Sequence, residues 1–231
     1  MGDSDIIHDM FRVEYKNEYT CYIGMQAPKS AVDMEAAIGV LCGLLHDLYE
    51  GPVKLVVFHG ITTDFYACDY EYDQAKRTIS PVGNQKVDLL LDLILKAPYF
   101  SVSMLSGCVE DLGADIAITS DWRIMSETSQ FCFASRRGLA NVRYTGRLVE
   151  LIGSFKAFDL IIRRRCIFVN EAMNIGLATA KADNEDFVEA IERHAKNAKK
   201  ESISIMRHAV RSPASNDIGI ERIVGSIAAA N

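Results

Sequence analysis

The chain has 231 residues, 49% of them apolar, and a formal charge of -6. That is enough apolar material for one sizeable core, and one domain is expected rather than two. Its basic residues fall only in short runs, Arg136-Arg137, Arg163-Arg164-Arg165 and Lys199-Lys200, which argues against a nucleic-acid partner.

No uncharged apolar stretch approaches the roughly 20 residues a spanning helix needs. Met1 to His8 also lack a basic segment followed by an apolar one. A soluble, cytoplasmic protein without membrane attachment is therefore expected. Six cysteines, at 21, 42, 68, 108, 132 and 166, form no Cys-x-x-Cys pair and no cluster with histidine at metal-ligand spacing, so no zinc site is expected. Cys21, Cys42 and Cys132 lie among apolar neighbours and read as small reduced core residues. Cys68 and Cys108 fall at strand-to-turn junctions, where a pocket can form.

In chain order, Phe11 to Tyr15 and Tyr19 to Met25 alternate apolar and polar positions around Lys16-Asn17-Glu18, predicting a hairpin. From Asp33 to Tyr49, Met34, Ile38, Leu41, Leu44, Leu45 and Leu48 recur at helical spacing, and Gly51-Pro52 is a stop signal. A strand follows from Val53 to His59. Residues 60 to 80 read as a loop carrying Phe65, Tyr66, Tyr70 and Tyr72, and Val87 to Lys96 as a helix. The run from Pro98 to Gly107 reads as a buried strand that breaks at glycine. Asp111 then opens a helix whose first-turn N–H groups favour negative charge.

Further on, Trp122 to Met125 and Gln130 to Ala134 read as short strands. Arg147 to Arg163 reads as one amphipathic helix and Asn170 to Leu177 as a brief one before Ala178 to Ala182. Helical segments are expected at Asp186 to Lys199, Ser202 to Arg211 and Asp217 to Ala230. No internal repeat or low-complexity linker is visible. Alternating strands and helices imply an α/β fold with a mainly parallel sheet, whose ligands bind at the strands' carboxyl ends. Gly60 and Gly107 both lie at such ends.

These motifs resemble the crotonase (enoyl-CoA hydratase/isomerase) superfamily. Leu55-Val-Val-Phe-His-Gly60 with Phe65-Tyr-Ala-Cys-Asp69 is similar to the family's strand, glycine turn and F-x-A-G-x-D loop. Lys96-Ala-Pro98 through Ser106-Gly107 is similar to K-P-x-x-A-x-x-N-G, and Asp111-Leu-Gly-Ala-Asp115 through Asp121-Trp-Arg-Ile124 to G-G-G-x-E-L-A-x-x-C-D-x-R-I. Ser129-Gln-Phe131, Arg147 to Gly153 and Asn170 to Leu177 resemble later family segments in the right order. The resemblance spans roughly residues 10 to 185. It implies a ββα spiral core over residues 1 to 185, with residues 186 to 231 as a C-terminal helical segment for subunit contacts or pocket cover, and assembly as trimers or hexamers.

The resemblance also implies an acyl thioester, carried by coenzyme A or an acyl carrier protein, whose carbonyl oxygen accepts two backbone N–H bonds as it becomes an enolate. By position the donors are the amides of Asp69 or Cys68 and of Leu112. The first family glutamate maps onto Asp115, and the second falls near Ser135, which is no base at neutral pH. One retained carboxylate suits isomerisation, dehydration, decarboxylation or carbon-carbon hydrolysis better than hydration by a glutamate pair. Asp115 is weighed evenly between a helix first-turn acid and the acid/base. His59, ending a strand towards the pocket, is a candidate proton shuttle or a near-core histidine.

Tyr66, Tyr70 and Tyr72 are candidate acyl-pocket residues or simple loop packing. Arg136 and Arg137 are candidate partners for a substrate carboxylate, or a solvated pair. Asp121 reads as a structural cap. No metal or redox cofactor is expected beyond the coenzyme A or phosphopantetheine of the substrate. The expected function is a divergent enolate-forming enzyme of polyketide or fatty-acid metabolism. The alternatives are a non-catalytic crotonase-like partner subunit and a β-diketone hydrolase using His59 with an aspartate.

Overall fold

The computed structural model describes residues 5–8, 10–26, 31–61, 81–133, 145–182 and 185–211. Three amino-terminal strands, β1 (Asp5–His8), β2 (Phe11–Asn17) and β3 (Thr20–Met25), precede the long helix α1 (Ala31–Glu50). Then come β4 (Leu55–Gly60), α2 (Pro81–Lys96), β5 (Phe100–Leu105), β6 (Cys108–Val109), α3 (Asp111–Thr119), β7 (Trp122–Met125) and β8 (Gln130–Cys132). The chain continues through α4 (Thr145–Ile152), α5 (Ser154–Arg163), β9 (Cys166–Phe168), α6 (Val169–Ile175), β10 (Ala180–Lys181), α7 (Glu185–Asn197) and α8 (Lys200–Arg211).

Two sheets result. The larger has the order β1-β2-β3-β4-β5-β7-β10, antiparallel through β1, β2 and β3 and parallel from β3 onward. The smaller has the order β6-β8-β9. The expected single strand from 98 to 107 thus ends at Leu105, and the chain changes sheets at Gly107, whose φ of 58° suits glycine. The expected helix from 147 to 163 is likewise two helices, because Gly153 at φ 82° turns the chain between α4 and α5.

Both faces of the larger sheet are covered. Val56 and Phe58 of β4 join one core with Ile38, Leu41 and Leu45 of α1, Leu90 and Ile94 of α2 and Ile116 of α3. Leu55 and Val57, pointing the other way along the same strand, join Phe100, Val102 and Ile124 under Ile191 and Ala195 of α7 and Ile203 of α8. The carboxyl-terminal helices are thereby packed into the sheet. Lys200, the first residue of α8, reaches across to the end of α1 and donates to the carbonyls of Leu48, Tyr49 and Gly51 at 2.9, 2.7 and 2.6 Å. Among the described residues, no helix is long and apolar enough to cross a membrane.

Candidate active site

α3 runs antiparallel to β5 and β7, because it leaves from beyond the end of β5 and returns the chain to the start of β7, where the amide of Asp121 donates to Ser101 at the beginning of β5. Its amino end therefore lies at the sheet's carboxyl edge. Ala114 is the residue whose amide closes onto the carbonyl of Glu110, at 3.3 Å; the amides of Asp111, Leu112 and Gly113 precede that first helical bond. The backbone turns sharply here, with Asp111 at φ 49°, a left-handed conformation that aspartate tolerates better than most residues with a β-carbon.

Every residue of α3 from Leu112 to Thr119 is buried, Asp115 to 3% exposure. The structure thus brings Leu112 and Asp115 together on the first turn and a half of one helix. A further carboxylate joins them: Glu110, 2% exposed, immediately precedes the helix, and its side chain does not cap it. Sequence reasoning passed over Glu110. Its signal was a charge placed directly after the apolar pair Cys108-Val109, where a short strand runs into a helix.

The carboxyl end of α3 is held by buried guanidinium groups. Arg123, 3% exposed, donates from Nε to the carbonyl of Leu177 at 2.6 Å and from Nη1 to Ser120 at 2.8 Å and Ala117 at 3.3 Å. Arg211 donates from Nη2 to the carbonyl of Thr119 at 2.9 Å. These bonds satisfy carbonyls that the helix leaves open and place positive charge at the negative end of its dipole. Burial pushes Arg123 down to about 10, with the Arg147 guanidinium adding to the effect. It does the same to Arg211, also to about 10, against the opposing pull of Asp121.

Asp121 is the hub of this arrangement rather than a helix cap. Its Oδ2 accepts from the Ser101 amide at 2.8 Å and hydroxyl at 3.0 Å, and its Oδ1 from Arg211 Nη2 at 2.6 Å. Arg207 adds its Nε to Oδ2 at 2.8 Å and also donates to the carbonyls of Ala97 and Ile94. Burial drives the Asp121 carboxyl upward, and the Arg207 and Arg211 charges, aided by the Ser101 amide, more than reverse this to leave it below the usual carboxylate range.

His59 lies near the end of β4 and is partly buried. Its ring lies over Gly24 of β3, where an added β-carbon would come within 3.0 Å of Cε1, and it stands 6.1 Å from the Tyr22 ring. Tyr22 in turn donates to Glu192 of α7 at 2.9 Å. His59 thus continues the series Leu55, Val57 on the face covered by α7 and α8, whereas the apolar residues of α3 join the core on the other face. The cause is the two-residue alternation of a strand, which sends His59 and Phe58 to opposite sides. Nδ1 of His59 lies 3.0 Å from the carbonyl of Gly60.

Cys132 also departs from expectation, since it is joined to Cys166 by a disulfide. Cys68, Asp69, Tyr66, Tyr70 and Tyr72 from the 60–80 loop, with Ser135, Arg136 and Arg137, lie outside the described residues. Among the described residues, no group of three or more His, Cys, Asp and Glu side chains is placed to hold a metal ion. A hollow of 320 Å³ lined by Tyr15, Asn17, Glu18, Asp47, Leu48 and Val53 lies at the amino ends of β3 and β4, away from the start of α3.

A family model described as enoyl-CoA hydratase/isomerase matches residues 17–222. The chain belongs to the enoyl-CoA hydratase/isomerase family. Solved structures share the crotonase fold of that family: an enoyl-CoA hydratase/isomerase from Marinobacter aquaeolei superimposes with a TM-score of 0.74 at 14% identity, over 96% of this chain and 89% of that one. A Thermobifida fusca YX structure in complex with acetoacetyl-CoA gives 0.73 at 20% identity, over 95% and 93%. The ethylmalonyl-CoA decarboxylase of Mus musculus is 30% identical over 146 residues, 61% of this chain and 45% of the mouse protein. That of Rattus norvegicus is 30% identical over 105 residues, 45% and 35%. The chain thus spans less than half the length of the curated relatives it matches.

Proposed function

We propose that this chain is an enzyme that carries an acyl thioester through an enolate, and that decarboxylation of a malonyl-type coenzyme A ester is its reaction. The observation that carries the reading is the amino end of α3, where the Leu112 amide precedes the first helical bond and Asp115 is buried one turn further in. Loss of carbon dioxide breaks a carbon-carbon bond and leaves its electron pair in the thioester as an enolate. Leu112, with Asp69 or Cys68 as the second donor, steadies the negative oxygen, each donor contributing about 2.7 to 4 kcal/mol. Asp115 in its acid form then returns a proton to the α-carbon.

The two ethylmalonyl-CoA decarboxylase relatives support this choice of reaction over hydration, as does the serine that replaces the family's second glutamate at position 135. Arg136 and Arg137 are the proposed partners of the substrate carboxylate, and Tyr66 and Tyr70 line the acyl portion. The thioester carrier is coenzyme A or phosphopantetheine on a carrier protein. The chemistry asks only for a polarised carbonyl, so the reading includes no metal or redox cofactor, and the working assembly is a trimer or a pair of trimers.

The test is turnover of ethylmalonyl-CoA, methylmalonyl-CoA and crotonyl-CoA by purified protein, followed by carbon dioxide release and mass spectrometry. Release from the malonyl-type esters, without hydration of crotonyl-CoA, is expected. Hydration of crotonyl-CoA alone overturns the reaction assigned, and binding without turnover of any ester favours a non-catalytic subunit.

A further inference from the structure

The smaller sheet holds a cluster that the enolate reading does not use. Cys132 of β8 and Cys166 of β9 are direct partners in the antiparallel register and are joined by a disulfide. Cys108 lies on β6, at the other edge of β8, and brings its Sγ to 3.8 Å from that of Cys132. Cys108 and Cys132, 8% and 5% exposed, pack on each other apart from the two main cores. Cys166 is exposed. One sulfur therefore sits between two others, one buried and one open to solvent.

We propose that Cys108, Cys132 and Cys166 form a thiol-disulfide exchange site whose bond moves between the 132–166 and 108–132 positions, and that the Cys166 thiol released by the move captures a low-molecular-weight disulfide. In the first step the Cys108 thiolate attacks the Cys132 sulfur. A bond forms between Cys108 and Cys132 as the Cys132–Cys166 bond breaks, the electron pair leaves on Cys166, and the proton lost by Cys108 passes through water to Cys166. Nothing is oxidised or reduced overall. In the second step the Cys166 thiolate attacks the small disulfide, forming a mixed disulfide and expelling one small thiolate.

Geometry favours this direction of attack. A leaving thiolate departs more readily where water solvates it, and an exposed thiol reacts with small partners where a buried one does not. The two states also hold different parts of the fold. The 132–166 bond, spanning 34 positions, ties β8 to the strand that follows α5. The 108–132 bond ties β8 instead to β6, which runs through Glu110 into α3, and leaves β9 held by its ladder hydrogen bonds. This inference stands independently of the acyl-thioester reading.

The three cysteines fall on separate tryptic peptides, divided by Arg123, Arg136 and Arg165. Full-length protein kept without reductant is incubated with N-ethylmaleimide, quenched in acid, digested and mapped by mass spectrometry. Alkylation of Cys166, with a 108–132 cross-link replacing the 132–166 one, is expected in the wild type and slows about tenfold or more in Cys108→Ser. In Cys166→Ser, refolding from denaturant in a glutathione redox buffer, where both thiols are first accessible, should produce the 108–132 cross-link. Equal alkylation of Cys166 with and without Cys108, or no cross-link in oxidised Cys166→Ser, overturns the exchange. Glutathione disulfide should add one glutathione to wild-type Cys166; addition at Cys108 or Cys132, or none where maleimide reacts, overturns the capture step.

Discussion

Arg207 and Asp121 stand 86 positions apart in the chain and meet in the interior, with Nε of the arginine 2.8 Å from Oδ2 of the aspartate. Their side chains are only 4% and 12% exposed, and Arg211 completes the cluster from the next turn of α8. Two cations thus depend on one carboxylate. Replacing it by a neutral amide leaves both guanidinium groups poorly compensated, so Asp121→Asn should destabilise the protein by about 3 to 5 kcal/mol. Denaturant titration measures this, and a loss under about 1 kcal/mol would show that the backbone carbonyls alone hold Arg207 and Arg211.

The same carboxyl makes a pH prediction. Its folded value lies below the ordinary 3.8, so the stability it contributes is present above that ordinary value and is lost as pH falls through the lower folded one. Acid titration of the wild type should show this loss below pH about 4. Asp121→Asn should lack that component, and two curves of the same slope there would contradict the assignment.

At the start of α3, Asp111 holds φ 49°. Glycine adopts this conformation without a β-carbon penalty, whereas a β-branched residue is an outlier there. Asp111→Val is expected to be about 1 to 3 kcal/mol less stable than Asp111→Gly in denaturant titration. The reverse order would mean that position 111 does not hold the left-handed conformation.

Asp115→Asn tests the proton donor. Turnover should fall by about 100-fold or more with the circular dichroism and melting profile intact, the range expected for a general acid. Activity within a few-fold of wild type would return Asp115 to a purely structural place in the helix.

The position of His59 can be checked by a double-mutant cycle. A β-carbon at Gly24 meets Ile61 Cγ1 at 2.9 Å and His59 Cε1 at 3.0 Å, so Gly24→Ala should cost about 1 to 3 kcal/mol. The cost should shrink by about 0.5 kcal/mol or more when His59→Ala is also present. Strict additivity would place the ring elsewhere.

Much of the element order was legible, because α1 and β7 carry apolar residues at the spacing of one face or one buried run. β1, β9 and the change of sheets at Gly107 were not. The residues from Phe100 to Val109 alternate apolar residues with serine and glycine, and nothing in such a run says that two different ladders share it. Gly153 was visible as a letter, but the apolar stripe continues across it from Leu148 and Ile152 to Ala157 and Leu160, which hides the break. The placement of Leu112 and Asp115 on one helix was legible, because Asp111 opens it. The side taken by His59 was not, since Leu55 to Phe58 are buried on both faces and alternation then carries no sidedness. Glu110 was missed because a glutamate between a strand and a helix is ordinarily exposed.

Lys200 has a consequence for the order of assembly. α1 carries no basic residue in its own last turn, and the ammonium group that serves its final carbonyls belongs to a helix about 150 positions later. During synthesis the first long helix must therefore wait, its end hydrated, until nearly the whole described chain has left the ribosome. A nascent chain stopped before position 200 lacks that clasp and should fray at Tyr49 and Glu50.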